Sequence, residues 1–293
     1  AATANTAESF TYDVTAPTST TAVESVDGTG NANDADVVTI TLDPSETVGT
    51  PTCTFTDGIG AMEDTTVDYD TTGDDSHTAQ VTVHNDDDDG AVGFSCTYAD
   101  LAGNDIASAI TVATSGAVEI DNTHPSISSV TFDSGDYVNN AEDESAIDLV
   151  IVTSGAEDGE TVTATLNGAD YTCDLTTNTC TASITSAGLK ALTDGNSYTF
   201  SVAVSDTAGN AATANTAESF TYDVTAPTMT ISSTTVSSGD TSNDATIALA
   251  FASSESTANL ISGEVTLSAG SIGSTFAGSG TSYTATFTPS GDA

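Results

Sequence analysis

Seventeen residues, "AATANTAESFTYDVTAP", occur twice in this chain without a single difference, at 1–17 and again at 211–227. Different sequence follows each copy. Drift separates unselected duplicates, so the segment reads as a unit within an array of repeats. The array has a period. An apolar strand end, then an Asp, then a Pro four residues later recur at Asp13 with Pro17, Asp121 with Pro125 and Asp223 with Pro227, the prolines standing 108 and 102 residues apart. Upstream of the second and third linkers lies a shared D-x-A-G-N turn, at Asp100 to Asn104 and at Asp206 to Asn210.

A unit of about a hundred residues that ends in strand, turn, strand and Pro linker has the length and punctuation of a seven-strand sandwich. Alternation supports this. Val92, Phe94, Cys96 and Tyr98 fall on one face of one stretch, and Tyr198, Phe200, Val202 and Val204 on one face of another. Both stretches precede D-x-A-G-N and read as F strands. "VVTITL" from Val37, "AIDLVIV" from Ala146 and "ATIALAF" from Ala245 read as B strands. Short Thr- and Val-rich runs separated by Gly, Asp and Asn, with no Trp, complete an all-β composition. The expected fold is a tandem row of immunoglobulin-like β-sandwich domains. Its parts are 1–17, the final strand and linker of a preceding or neighbouring domain; 18–124 and 125–227, two complete domains; and 228–293, an incomplete one. In the last part "SYTATFTPSGDA" lines up with "HTAQVTVHNDDDDGA" of the first domain, but no F strand or D-x-A-G-N follows.

Forty-three acids face a single base, Lys190, for a formal net charge of -42. Such a surface repels nucleic acid and anionic lipid, and attracts divalent cations or suits a salty medium. No apolar run approaches the roughly 18 residues of a membrane span. The sequence begins within a domain motif and reads as a mature or excised part of a longer secreted polypeptide.

The D-x-A-G-N turns, the D-x-T-x-P linkers at Asp13, Asp121 and Asp223, the stretch "GDYVNNAEDE" around Asp136, Asn139 and Glu142, and the Ser-Glu pairs in "TLDPSETVGTPTCTF" and "FASSESTANLISGEVTLSAG" resemble the bacterial immunoglobulin-like repeats of very large cell-surface proteins. The resemblance covers essentially the whole chain. It implies an extracellular tandem array, often stiffened by calcium between domains, of the adhesin, surface-filament or S-layer kind. The cysteines depart from the plainest members, which have none.

Four cysteines without a C-x-x-C pair or a histidine cluster favour disulfides over zinc. Cys173 and Cys180 flank "DLTTNT", read as a hairpin tip. Cys53 and Cys96 sit on the C and F strands, neighbours in one sheet, so their bridge is expected within that sheet.

Strand order places the acids. In such a sandwich the A–B and E–F loops lie where the last strand exits, and the B–C and F–G loops where the first enters. The first junction then gathers Asp13, Asp43, Glu46, Asp100 and Asn104. The middle one gathers Asp27, Asn31, Asp34, the run Asp86 to Asp89, Asp121, Glu157, Asp158, Asp206 and Asn210. The last gathers Asp133, Asp136, Asn139, Glu142, Asp223 and Glu255. Clustered carboxylate and amide oxygens without Lys or Arg suit a six- to eight-oxygen Ca2+ shell. The plainer alternative is a set of solvated loops in which each D-x-A-G-N Asp caps backbone amides.

His77, His84 and His124 read as ordinary surface histidines. No catalytic constellation can be assembled, and an isopeptide crosslink at Lys190 is disfavoured, so the chain is expected not to be an enzyme. No Asn-x-Ser or Asn-x-Thr sequon occurs. The expected role is structural: calcium-stiffened repeats at the cell surface that assemble with copies of themselves into a filament or layer, including strand exchange at the open last domain. The alternative is the passive stalk of a repetitive adhesin whose ligand lies elsewhere.

Overall fold

Alternation of buried and exposed residues along short strands organises the computed structural model, which describes residues 10–25, 28, 30–57, 59–62, 68–70, 76–213, 218–258, 260–273 and 276–290. Contacts divide the chain into two units, 1–222 and 223–293.

The first sandwich runs through β1 (Ser19–Ser25), β2 (Asn31–Ala32), β3 (Val37–Pro44), β4 (Thr52–Thr56), β5 (Asp68–Asp70), β6 (His77–Thr82), β7 (Gly90–Ala91), β8 (Gly93–Thr97) and β9 (Glu119–Ile120). One sheet has the order β1-β3-β6-β5; the facing layer pairs β4 with β8 and sets β9 between β2 and β7. The B strand β3 turns Val38, Ile40 and Leu42 inward, where they meet Ala79, Val81, Cys53, Phe55, Phe94, Cys96 and Ile120. Full burial of each large aliphatic side chain contributes about 1.5–3 kcal/mol. The F strand is interrupted at Val92, between β7 and β8. β9 runs antiparallel to β7 but parallel to β2.

The second sandwich repeats the plan with β10 (Ser126–Phe132), β11 (Tyr137–Val138), β12 (Ile147–Ser154), β13 (Thr161–Leu166), β14 (Ala169–Asp174), β15 (Thr179–Ile184), α1 (Ser186–Lys190), β16 (Asn196–Thr199), β17 (Ser201–Ala203) and β18 (Ser219–Tyr222). β10-β12-β15 form one sheet; β14-β13-β17 and β11-β18-β16 build the other, with the F strand interrupted at Phe200. The short helix α1 was not anticipated from sequence. Thr185 caps it by accepting from the Gly188 N–H, and Leu189 is buried beneath it. Phe132, Phe200 and Phe220 stack at centroid distances of 4.8 to 5.7 Å.

The duplicated segment has two fates. In the second copy Phe220 and Tyr222 are 2% and 4% exposed within β18; in the first, Phe10 and Tyr12 are 89% and 82% exposed. The strand expected over 1–13 does not form over 10–13, and residues 1–9 lie outside the described ones. Strand structure is a property of the slot, since β18 owes its order to β16 and β11 on either side.

In the second unit, β19 (Met229–Ser233), β20 (Ile247–Thr257), β21 (Ser271–Ile272) and β22 (Ala277–Thr288) form one sheet of order β19-β20-β22-β21. β22 pairs with the B strand β20 as β6 pairs with β3, matching the aligned sequences. Among the described residues this unit has one of the two sheets, around Phe251, Tyr283 and Ala285.

Both expected disulfides are formed. Cys53 and Cys96 are directly opposed on β4 and β8, within one sheet as expected. Cys173 and Cys180 differ from expectation: β14 pairs with β13 and β15 with β12, so their bridge crosses between sheets, and only an isolated Thr176 to Thr179 pairing remains of the hairpin. His77 also departs from the surface reading. It lies on the inward face of β6, 9% exposed.

Candidate junction site: the linker clamp

Each D-x-A-G-N turn closes on itself before it touches anything else. Asp100 accepts from the Asn104 backbone N–H at 2.8 Å and from its side-chain amide at 2.7 Å. Asp206 does the same for Asn210, at 2.8 and 3.0 Å. Gly103 and Gly209, at φ +92° and +94°, supply the left-handed position that the turn needs. Asp100 and Asp206 are both buried, which a carboxylate tolerates when charge-assisted donors surround it. These hydrogen bonds, led by Asn104, hold the Asp100 carboxyl below its usual range.

The second amide hydrogen of each Asn reaches the linker. Asn104 Nδ2 donates to the backbone carbonyl of Asp13 at 3.2 Å, and Asn210 Nδ2 to that of Asp121 at 2.7 Å. The linker Asp turns its own side chain forward, Asp13 to the Thr15 N–H at 2.9 Å and Asp121 to the Thr123 N–H at 3.0 Å. Each is an Asx turn. One residue past the proline, a serine completes the hold: Ser45 Oγ, just after β3, accepts from Thr18 N–H at 3.0 Å, and within the second unit Ser254 Oγ, in β20, accepts from Thr228 N–H at 2.9 Å. These serines are the first members of the Ser-Glu pairs.

The middle linker is gripped from upstream as well. Asp89 accepts from the Asn122 N–H at 2.7 Å and from the Thr123 hydroxyl, while Asn122 Nδ2 reaches the carbonyls of His84 and Asp87 at 3.0 Å each. His124 Nδ1 lies 2.9 Å from the Ala211 carbonyl. Asp34 accepts from Asn85 N–H at 3.1 Å, and Glu157 from Thr207 N–H at 2.9 Å. These bonds join the A–B and E–F loops of the first sandwich, and the B–C and F–G loops of the second.

One group of acids converges closely. Asp13, Glu46 and Asp100 each offer a carboxylate oxygen within 4.8 Å of the others. They face an open cleft of about 470 Å³ whose walls include Thr11, Thr47 and Leu101. Burial, then Asp13 and Asp100, push the Glu46 carboxyl above its ordinary value. At the middle linker burial, opposed by the Thr123 N–H and assisted by Asp206, Asp89 and Glu157, raises Asp121 likewise. An all-oxygen donor set of this kind fits a hard cation such as Ca2+ and does not fit Zn2+.

The remaining candidates are placed differently. Asn139 accepts from Ala141 and Glu142 N–H while Glu142 accepts from Asn139 N–H, so these two cap their own loop. The Asp136 carbonyl accepts from Thr221 N–H at 2.8 Å. Asp158 accepts from Thr177 N–H, and Asn31 lies in β2. Asp27 lies outside the described residues. Asp223 and Glu255 belong to the second unit, where both are half-buried.

Sequence reasoning missed two buried acids, Asp57 and Asp143, and named Asp87 only within an acidic run. Asp57 accepts from Ile59, Gly60 and Asp88 N–H at 2.7 to 3.1 Å, bonds that lower its pKa, that from Gly60 most. Asp87 accepts from His84 N–H at 2.8 Å. Asp143 accepts the Tyr222 hydroxyl at 2.7 Å. For Asp57 and Asp87 the signal was legible as an Asp two or three residues from a turn N–H; nothing local marks Asp143.

Residues 1–222 hold two immunoglobulin-like sandwiches in succession, and the second unit holds one further sheet among its described residues. No family model and no curated protein matches its sequence. Solved structures that resemble it include the 1.5-MDa ice-binding adhesin of a bacterium (21% identity, 94% of this chain and 88% of that chain, TM-score 0.39). Another is a Ca2+-stabilized, ice-binding adhesin of an Antarctic bacterium (20%, 93% and 67%, TM-score 0.42). A three-domain titin segment matches similarly (10%, 95% and 90%, TM-score 0.43). Among the described residues no helix is long and apolar enough to cross a membrane.

Proposed function

We propose that the chain is an extracellular structural element, a stiff row of sandwiches serving a surface filament or layer. The observation that carries this reading is the clamp made twice in the same way, Asn104 on the Asp13 carbonyl and Asn210 on the Asp121 carbonyl. A linker held by side chains from the domain it enters, and in the middle case from the domain it leaves, resists bending. Two disulfides suit an oxidising exterior. Calcium bound by Asp13, Glu46 and Asp100 would offset the repulsion among these three carboxylates and tie the first linker to the B–C and F–G loops. The same role at the middle linker falls to Asp121 and Asp206.

For assembly with other copies, the segment that carries Phe10 and Tyr12 has the sequence that the second sandwich buries between β16 and β11, so it is chemically suited to pairing as a strand. The second reading, a passive stalk within an adhesin, is favoured by the clamp alone, because stiffness serves reach equally well.

Electron microscopy of surface-extracted material with millimolar calcium and then with chelator separates these. Ordered fibres or sheets that loosen on chelation support the assembly. Separate rods in both conditions support the stalk, and scattering with no change in maximum dimension on chelation removes calcium from either.

A further inference from the structure

We infer that the outer edge of β15 is a docking surface for a second copy of this chain, which adds its own β15 antiparallel to the first and joins two chains side by side. The inference rests on the reading that the chain assembles with copies of itself, and it gives that assembly a lateral contact.

Three sheets of this chain share a plan at this edge, and one of them departs from it. In the first sandwich β3 pairs with β6, and β6 carries β5 on its other side, with Asp68 opposite Gln80 and Asp70 opposite Thr78. In the second unit β20 pairs with β22, and β22 carries β21, with Ser271 opposite Thr288. The second sandwich pairs β12 with β15 and has, among the described residues, no strand beyond β15. The intervening chain goes elsewhere: β14 turns back onto β13 in the facing sheet, and the Cys173 to Cys180 bridge ties it to β15. An edge that holds a fourth strand in two sheets is open in the third.

The backbone of that edge is unpaired in a definite pattern. Antiparallel pairing turns the N–H and C=O of alternate residues to opposite sides of a strand. Asn178 accepts from Thr153 N–H on the β12 side, whereas Thr179 exchanges both its bonds with Thr176, away from β12. Thr181 and Ser183 follow Thr179 in phase, so their N–H and C=O groups also point outward, where no strand meets them among the described residues.

Open edges are ordinarily guarded by charge, proline or a bulge. β10, at the opposite edge of the same sheet, shifts register between Ile127 and Ser129. β14, the edge of the facing layer, exposes Asp170 and Asp174. β15 has none of these guards: it reads TCTASI, and its exposed side chains are the hydroxyls of Thr181 and Ser183. With 43 acids against one base, most of the surface repels a second copy, and a neutral edge is where two copies can approach to hydrogen-bonding distance. The edge is also self-complementary. A two-fold axis at Ala182 sets Thr181 opposite the second copy's Ser183, so that these residues exchange N–H···O bonds and hydroxyl meets hydroxyl. The two three-stranded sheets then become one.

Sedimentation of the full chain in chelator, across concentration and salt, tests this apart from calcium. Twice the chain mass is expected at high concentration, and more readily in molar salt, which screens the acids on β14 and elsewhere. Thr181→Asp with Ser183→Asp sets like charges across the two-fold axis and should weaken association by about ten-fold or more. The same charges at Thr52→Asp and Thr54→Asp, exposed on β4, should leave it unchanged. Amide exchange reads the contact without any substitution: Thr181 and Ser183 N–H should exchange fast in dilute chain and several-fold more slowly on association, while Thr179 N–H, bonded to Thr176, is protected in both. A chain that stays monomeric throughout, or a dimer indifferent to charge at 181 and 183, overturns the edge contact and leaves end-to-end assembly standing. Separate rods in microscopy with this dimer intact would tell against the filament or layer and not against β15.

Discussion

The side-chain amide of Asn210 donates to the backbone carbonyl of Asp121, 89 residues upstream, at 2.7 Å. The same amide also satisfies Asp206, a buried carboxylate. One side chain thereby joins the F–G turn to the linker entering its sandwich. Removing it leaves Asp206 and a linker carbonyl each short of a donor.

Asn210→Ala is expected to destabilise the second sandwich by about 1–3 kcal/mol, the range for orphaning a buried polar partner. Asn210→Asp should cost more, since a second carboxylate then faces Asp206. Denaturant titration gives the magnitudes. A wider spread of angles between the two sandwiches in scattering would report the lost joint, and an unchanged profile would count against the clamp.

Acid and base should act in opposite senses on different groups. Glu46 and Asp121 have raised pKa values, so their contribution is fully present below the ordinary carboxylate pKa and is lost as pH rises through the folded value. Asp57 and Asp100 are lowered, so theirs is present above the ordinary pKa and is lost as pH falls through the folded value. Stability of 1–222 without calcium should therefore pass through a maximum on acidification and then fall. Tyr222, pushed up to about 12 mainly by burial and then by its bond to Asp143, should make stability decline as pH climbs above 10. Thermal midpoints across pH, for the chain and for Tyr222→Phe, check both limbs.

Tyr222→Phe itself leaves Asp143 with a second unpartnered oxygen, because Oδ1 already lacks a partner. A loss of about 1–3 kcal/mol is expected, and Asp143→Ala in the same background should add little further. Additive losses in a double-mutant cycle would show that the pair does not act as one.

Reduction should weaken the two sandwiches unequally. Chain-entropy arithmetic gives about 4 kcal/mol for the Cys53 to Cys96 loop and about 2.5 kcal/mol for Cys173 to Cys180. Calorimetry of the oxidised and of the unfolded-then-reduced chain should show the midpoint of the first sandwich falling further than that of the second. The reverse would mean that the bridge between sheets is the more important one.

Much of this was open to reading in the sequence, for a definite reason. The B, C and F strands show period-two alternation because one of their faces is buried: Val38, Ile40 and Leu42 against Thr39 and Thr41. Strand order then sent Asp121, Asp206 and Asp89 to one junction. What the sequence did not reveal is which way each carboxylate faces. Asp89 ends a run of four aspartates and Asp13 stands alone in its linker, yet it is Asp89 that holds the linker Asn122 and Thr123 and Asp13 that converges on Glu46 and Asp100. Backbone donors and a cation ask for the same oxygens, so composition cannot separate them. Phe10 and Phe220 make the limit plainer, because identical neighbours give them opposite exposures.

The clamp has one further property. Asn104 and Asn210 hold a backbone carbonyl, a group that every residue carries, and not any side chain of the preceding repeat. At this contact a repeat brings its own lock and asks no particular side chain of its neighbour, unlike the upstream grip of Asp89 on Asn122 and Thr123. Unequal recombination between copies as alike as 1–17 and 211–227 could lengthen or shorten the row without spoiling a joint. The number of repeats then becomes a quantity that selection can adjust without altering this contact.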